Sequence, residues 1–186
     1  MAALRVLGID PGLTRCGVGV VDVGRDRSAT LVHVGVIRSD PGEPIERRLA
    51  TIATGIRAVI DAHGPSVVAV ERVFSQHNRQ SVMGTAQASG IALLIAGERG
   101  LRAATHTPTE VKAAVTGYGA ADKRQVQAMI ARILQLDDVP QPADAADALA
   151  LALCHAWRSG SASVPAGGAP TPAQRAWADA ERLARR

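Results

Sequence analysis

The amino-acid sequence predicts an α/β domain with a mixed five-stranded sheet, three strands antiparallel and two parallel, and helices on both faces. Two observations support this prediction. Three β-branched apolar runs follow one another with only short polar turns between them, which is typical of an antiparallel meander. Later apolar residues recur at helical spacing and alternate with two short apolar runs, which indicates strands connected through helices.

The strand predictions depend on short apolar runs that end at turn signals. The first run closes on Asp10, where an Asp-Pro-Gly turn begins, and the fourth closes on Glu71. The predicted strands span residues 4–10, 14–23, 30–38, 66–71 and 103–106.

The helix predictions depend on apolar periodicity and on capping signals. A capping box with proline at the first helical position opens the third helix at Thr107. The second helix is apolar on more than one face and carries small residues, so we expect it to contact another subunit. The predicted helices span residues 45–63, 80–99, 107–115, 122–135 and 143–157.

The composition indicates one globular domain over residues 1–158, followed by a flexible low-complexity and Arg/Ala-rich tail over 159–186. Apolar residues make up 47% of the chain and aromatic residues only 2%, so the core must consist of aliphatic side chains. Two cysteines in apolar segments and no long apolar run predict a cytoplasmic protein that does not enter the membrane. The net charge of +4 suits a polyanionic partner without requiring one.

Four carboxylates are placed to meet at one edge of this sheet. Asp10 and Glu71 end strands that we expect to pair in parallel, while Asp144 and Asp147 share one face of the last helix. Two such charges about 4 Å apart repel by roughly 4 kcal/mol at an effective dielectric constant of 20. Oxygen ligands of this kind select Mg²⁺ or Mn²⁺, and two ions would suit phosphodiester hydrolysis.

Each of these acids also has an ordinary structural explanation. Asp10 could simply form the Asp-Pro-Gly turn, and Asp144 and Asp147 could complement the dipole of the last helix. Glu71 is harder to explain this way, because it closes a wholly apolar run. The order of the four acids along the chain therefore favours a metal site over four separate structural roles.

Five segments together resemble the RuvC family of bacterial crossover junction endodeoxyribonucleases. The resemblance runs from about residue 4 to 157, and the segments occur in the family's order. They are GIDPGLTRCGVGV (8–20), VAVERVFSQHN (68–78), GTAQASGIAL (84–93), VKAAVTGYGAADKRQV (111–126) and PQPADAADALALALCHAW (140–157).

This resemblance implies a ribonuclease H-like fold and a homodimer that nicks two strands of like polarity in a four-way Holliday junction, in DNA recombination and repair. It implies that Asp10, Glu71, Asp144 and Asp147 form the catalytic and metal-binding tetrad. It also implies cooperation with the branch-migration proteins RuvA and RuvB. Some relatives have histidine where this chain has Asp144.

The resemblance also assigns roles in catalysis and DNA binding around the tetrad. Lys112 and Lys123 match family lysines near the active site, and they are the only lysines among 21 basic residues. Phe74 matches an aromatic residue that stacks on a base at the junction. Both lysines could instead be ordinary surface residues, and Phe74 could be an ordinary core residue.

The loop that follows Phe74 is a weaker candidate for DNA contact. His77, Asn78 and Arg79 suit phosphate or base contacts, and a plain surface loop explains them equally well. The same holds for the turn that contains Thr14 and Arg15.

Three other functions compete with this interpretation. The segment from Gly8 also resembles the first phosphate loop of the actin and sugar-kinase ATPases, but no second phosphate loop is visible. A nuclease of the same fold acting on RNA or an RNA–DNA hybrid is the second competing function. A junction-binding protein without catalysis is the third, and the intact tetrad argues against it.

Overall fold

The computed structural model describes residues 3–72 and 79–161, apart from the side chains of residues 79–81 and 160–161. Its five strands form one sheet in the order β3-β2-β1-β4-β5. The strands are β1 (Leu4–Asp10), β2 (Arg15–Val23), β3 (Ala29–Arg38), β4 (Val67–Glu71) and β5 (Arg102–His106). The helices are α1 (Ile45–His63), α2 (Arg79–Glu98), α3 (Pro108–Thr116), α4 (Lys123–Ile133) and α5 (Ala143–Ser161).

The sheet is mixed, as predicted. Strands β1, β2 and β3 pair antiparallel, while β4 pairs in parallel with β1 and β5 in parallel with β4. All ten predicted elements are present among the described residues, and the predicted fold class is confirmed. Helix α5 continues to Ser161, beyond its predicted end at Trp157. Residues 162–186, which make up most of the predicted tail, lie outside the described residues.

Helices cover the sheet on both faces because successive side chains of a strand point to opposite sides. In β1, Leu7 and Ile9 pack against α1 and α2 on one face. Val6 packs on the other face against α3, α4 and α5. The side chains of both layers are mainly aliphatic and fully buried at their centres, as the low aromatic content required. Gly8 and Asp10 follow Val6 on the face of α5.

None of the helices in the described part of the chain is long and apolar enough to cross a membrane.

Candidate active site

Asp10 and Glu71 are neighbours at the carboxyl end of two parallel strands. The register of β1 and β4 pairs Ile9 with Val70, which brings the next residue of each strand side by side. Both carboxyl groups therefore lie on the face covered by α5, and they are hydrogen-bonded to each other. Local sequence accounts for this placement, because each acid ends an apolar strand that fixes which way its side chain points.

Helix α5 lies directly on the backbone of β1 and β2, because three glycines leave room for it. A Cβ atom on Gly8 would lie 2.0 Å from the carbonyl oxygen of Ala148, and one on Gly19 would lie 2.8 Å from the Leu149 side chain. A Cβ atom on Gly17 would lie 2.0 Å from the carbonyl oxygen of Asp144. We call Gly8, Gly17 and Gly19 the glycine contact. It brings the acidic first turn of α5 over the ends of the strands.

The glycine contact completes the group of four acids. Gly17 is the register partner of Asp10 in β1, so Asp144 lies above this pair of residues. Asp147 follows on the same face of α5 and acts electrostatically on both Asp10 and Glu71. The structure thus brings together the four carboxylates that the sequence singled out.

Crowding of negative charge perturbs the two acids of the sheet. Burial raises the pKa of Asp10 to about 8, and the charges of Glu71 and Asp147 add to this rise. Burial also raises the pKa of Glu71, although its hydrogen bond with Asp10 opposes the rise. At neutral pH one proton is therefore held between Asp10 and Glu71, which removes part of the mutual repulsion.

Two cations hold the acids of the helix. Lys123 donates a hydrogen bond of 2.8 Å from Nζ to Oδ2 of Asp147, which raises the pKa of Lys123. Nη2 of Arg15 lies 2.6 Å from Oδ2 of Asp144. That oxygen is shielded from solvent and accepts no aligned hydrogen bond from the described residues. Arg15 and Asp144 are thus held together by their opposite charges and not by an aligned hydrogen bond.

Both lysines of the chain line a pocket beside the acids. The pocket has a volume of about 250 Å³. Helix α4 begins at Lys123 because Asp122 forms a capping box with Gln125. This start of the helix places Lys123 in the lining of the pocket. The lining residues are Glu71, Pro108, Val111, Lys112, Lys123, Val126, Asp147, Ala150 and Leu151. The predicted proximity of Lys112 and Lys123 to two of the acids is thus present in the structure.

The donor set fits a hard divalent cation. Four carboxylates interact with one another, one buried carboxylate oxygen lacks a hydrogen bond, and burial together with the neighbouring negative charges raises the pKa of Asp10. Within the described residues, however, no group of three or more His, Cys, Asp or Glu side chains is already arranged to hold a metal ion. The contacts with Arg15 and Lys123 take up two of the four carboxylates instead.

The predicted DNA-binding residues after β4 lie outside the described part of the chain. Phe74, His77 and Asn78 are not among the described residues, and Arg79 begins α2 without a described side chain. Their predicted roles in DNA binding stay predictions.

Comparisons with known proteins identify the family. A model of the family described as crossover junction endodeoxyribonuclease RuvC matches residues 6–155. The chain belongs to the RuvC family. The RuvC of Leifsonia xyli subsp. xyli is 59% identical over 96% of this chain and 92% of its own length. The RuvC of Clavibacter michiganensis subsp. michiganensis is 60% identical over 93% of this chain and 86% of its own.

Solved structures agree with this assignment. The RuvC of T. thermophilus in complex with a Holliday junction substrate has a TM-score of 0.82 and 36% identity, covering 86% of this chain and 97% of its own. The yeast mitochondrial Holliday junction resolvase Ydc2 has a TM-score of 0.60 at 12% identity, covering 86% of this chain and 82% of its own. The second likeness supports only the fold, and the RuvC likeness confirms the predicted ribonuclease H-like sheet.

Proposed function

We propose that this protein is a metal-dependent endodeoxyribonuclease that resolves four-way Holliday junctions by nicking two strands of like polarity, in DNA recombination and repair. The observation that supports this most directly is the meeting of four carboxylates from β1, β4 and α5 beside two lysines. Membership of the RuvC family supplies the substrate, since the T. thermophilus relative was solved with a Holliday junction.

Asp10, Glu71, Asp144 and Asp147 are proposed as the metal ligands. Bound Mg²⁺, two ions per site with Mn²⁺ as a substitute, would supply an activated water and stabilise the leaving oxygen. The protein's own contribution is to hold the four carboxylates in fixed positions. The glycine contact does this by fixing the backbone of α5 against β1 and β2.

Lys112 and Lys123 are proposed to bind a phosphate of the cleaved strand. Their ammonium groups line the pocket that reaches Glu71 and Asp147, and a compact ammonium acts as a point charge against a phosphate oxygen. Lys123 spans both parts of the site because it already holds Asp147. Phe74 is proposed to stack on a base at the crossover, with His77, Asn78 and Arg79 as DNA contacts.

A homodimer is proposed through α2. In the described part of this helix, Met83 is 62% exposed and Leu94 is 56% exposed, and both lie on one stripe with Gly90 and Gly97. A Cβ atom on either glycine would meet nothing within 4 Å. A second copy that covers this stripe would bury exposed apolar surface and would supply the second active site that symmetric nicking needs.

The proposed setting is the bacterial cytoplasm, with RuvA and RuvB as partners. The RuvC family assignment supports this setting. The free cysteines Cys16 and Cys154 are both buried, which agrees with a reducing compartment.

The deciding experiment is nicking of a synthetic mobile four-way junction in Mg²⁺, in Ca²⁺ and in EDTA. We expect paired nicks at symmetric positions in Mg²⁺, and little cutting of a linear duplex or an RNA–DNA hybrid. Asp10→Asn should abolish cutting while junction binding persists, whereas Asp137→Asn, at an exposed loop position, should cut normally. Preferential cutting of the hybrid would instead support a ribonuclease of the same fold.

The same assay tests for a binding protein, and a separate ATP hydrolysis assay tests for an ATPase. Binding without nicking in Mg²⁺ or Mn²⁺ would indicate a junction-binding protein that lacks catalysis. ATP hydrolysis that survives Glu71→Gln would indicate an ATPase related to actin and the sugar kinases.

A further inference from the structure

Arg15 contacts the acid group in a way that Lys123 does not. Lys123 holds Asp147 through an aligned hydrogen bond. Arg15 holds Asp144 at 2.6 Å, but Oδ2 of Asp144 accepts no aligned hydrogen bond. Charge-assisted hydrogen bonds are about twice as strong as neutral ones, and the Arg15 pair has the charge attraction without an aligned hydrogen bond. The side chain of Arg15 is also 43% exposed, so a ligand can reach it.

A second arginine stands beside the first. Arg15 and Arg38 are register partners of the antiparallel strands β2 and β3, so their side chains share one face of the sheet. Like charges placed directly opposite each other are destabilising. Within the described residues Arg38 makes no ion pair, and Asp144 pairs with Arg15 alone. A DNA phosphate bound here would satisfy both.

The turn that carries Arg15 is firmly fixed. Ser39 donates a hydrogen bond of 2.6 Å to the carbonyl oxygen of Leu13, and Arg48 donates one of 2.7 Å to the hydroxyl of Thr14. These contacts anchor the two residues that immediately precede Arg15. Its guanidinium can change partner through side-chain torsions while the strand stays in place.

We propose that Arg15 is the counter-ion of Asp144 in the DNA-free protein and moves to a phosphate of the bound strand, which frees Asp144 for a divalent cation. This inference rests on the proposed function of the four carboxylates. It makes Arg15 a positioning residue that couples junction binding to metal binding. A planar guanidinium suits the exchange, because it matches carboxylate and phosphate geometry equally well.

The coupling has a thermodynamic signature. If Arg15 competes with the cation for Asp144, its removal strengthens metal binding by the DNA-free protein. Because coupling between two ligands is reciprocal, the same removal weakens the increase in junction affinity that metal produces. We expect a change of about tenfold in both quantities, which corresponds to about 1.4 kcal/mol.

The first test is calorimetric titration of Mn²⁺ into the full DNA-free chain. Arg15→Gln should bind Mn²⁺ about tenfold more tightly than the wild type. Arg38→Gln is the matched control, since it removes an equal charge from the cross-strand neighbour, and it should stay within twofold of the wild type. Arg15→Met, which keeps the side chain's apolar length, replaces Arg15→Gln if circular dichroism shows that the glutamine variant does not fold.

The second test measures junction affinity by fluorescence anisotropy in EDTA and in Ca²⁺, with a denaturing gel to verify that the DNA is uncut. The gain in affinity on adding Ca²⁺ should be about tenfold smaller for Arg15→Gln than for the wild type. Equal gains would overturn the coupling.

Controls separate this inference from the proposed function. Asp144→Asn should weaken Mn²⁺ binding, and if it does not, the proposed carboxylate site itself is wrong. If Asp144→Asn weakens binding but Arg15→Gln matches the wild type, only the role of Arg15 is overturned. Equal tightening in Arg38→Gln would likewise overturn it, because general charge repulsion would then account for the effect.

Discussion

The carboxyl group of Asp10 stands where its negative charge is hard to accommodate. Its neighbours Glu71, Asp144 and Asp147 are all acids, and burial removes the solvent that would otherwise screen them. A folded-state pKa of about 8 means that Asp10 takes up a proton on folding at any pH between its unfolded value, near 4, and 8. Folding stability therefore falls as pH rises through this range, because the folded state binds more protons.

We predict that Asp10→Asn removes this pH dependence from the metal-free protein. In EDTA, the free energy of unfolding of the wild type should decline by roughly 2 kcal/mol relative to the variant between pH 6 and 8, as about 1.4 kcal/mol per unit of pKa shift allows. Urea unfolding of both proteins at several pH values measures this decline in the free energy of unfolding. Parallel curves for the two proteins would show that Asp10 carries no such perturbation.

A buried histidine pair gives a pH dependence of the opposite sign. Nε2 of His106 lies 3.1 Å from Nδ1 of His155, joining β5 to α5. Burial lowers the pKa of His155 to about 4 and also lowers that of His106. His155 therefore stays neutral in the folded protein down to about pH 4, whereas in the unfolded chain it gains a proton below about pH 6.5.

We predict that His155→Gln reduces the acid sensitivity of the fold. As pH falls from 6.5 to 4.5, the unfolding free energy of the wild type should decline by roughly 2 kcal/mol relative to the variant, because only the unfolded chain gains the proton of this histidine. The contribution of Asp10 is common to both proteins and cancels in this difference. His63→Gln, in the last turn of α1 on the other face of the sheet, is the control. Equal losses in the wild type and His155→Gln would contradict the prediction.

Sequence reasoning succeeded at single residues where the signal was local. Asp10 and Glu71 end apolar strands, and Asp144 and Asp147 share a helix face, so alternation and helical period were enough to align them. It gave Arg15 no more than a possible loop contact, because its pairing with Asp144 depends on how α5 lies across β2. It likewise did not pair His155 with His106, since the two are far apart in the chain.

At the level of elements, the glycine contact decides how closely α5 approaches the sheet. The glycines of β1 and β2 were part of a motif in the sequence, but nothing local says that a helix will lie on them. The structure shows that a Cβ atom on Gly8 or Gly17 would overlap a backbone oxygen of α5. A backbone atom cannot rotate away, so the helix itself would have to move.

We predict that Gly17→Ala destabilises the protein by about 3 kcal/mol or more and abolishes nicking, because α5 and Asp144 are displaced. Gly35→Ala in β3 is the control, since its Cβ atom would come no closer than 3.4 Å to any neighbour, and it should be nearly neutral. Thermal and urea unfolding measure the difference. A stable Gly17→Ala protein that still nicks the junction would mean that the structure accommodates the methyl group without displacing α5.

At the level of the whole molecule, the two helical layers have different tasks. The layer of α3, α4 and α5 carries both lysines and the helix acids of the site. The layer of α1 and α2 is tied together by ion pairs of Arg57 with Glu98 and of Arg99 with Asp61. The stripe on α2 that contains Met83, Gly90, Leu94 and Gly97 is exposed. The sequence predicted a second partner for α2 from its apolar faces, but the exposure of Leu94 was visible only in the structure.

We predict that Leu94→Glu converts a dimer into a monomer that still folds, because a charge on the exposed stripe opposes its burial by a second copy. Ala128→Glu, at an exposed position of α4 on the opposite layer, should leave the dimer intact. Analytical ultracentrifugation measures the mass of each protein. Nicking by the monomer should lose its paired character, and an unaltered mass would place the dimer contact elsewhere.

The glycine contact also means that one side of the pocket is fixed in position and the other side can be adjusted. Asp144 and Asp147 lie on α5 and Asp10 on β1, and α5 contacts β1 and β2 through backbone atoms with no side-chain layer between them. Lys123 opens α4, which packs mainly on α3 and α5 through side chains such as Val126 and Ile130. Substitutions that repack those side chains would shift Lys123 and leave Asp10 and Asp144 in place. The position of Lys123 is therefore set by side-chain packing, whereas the position of Asp144 over β2 is set by backbone contact.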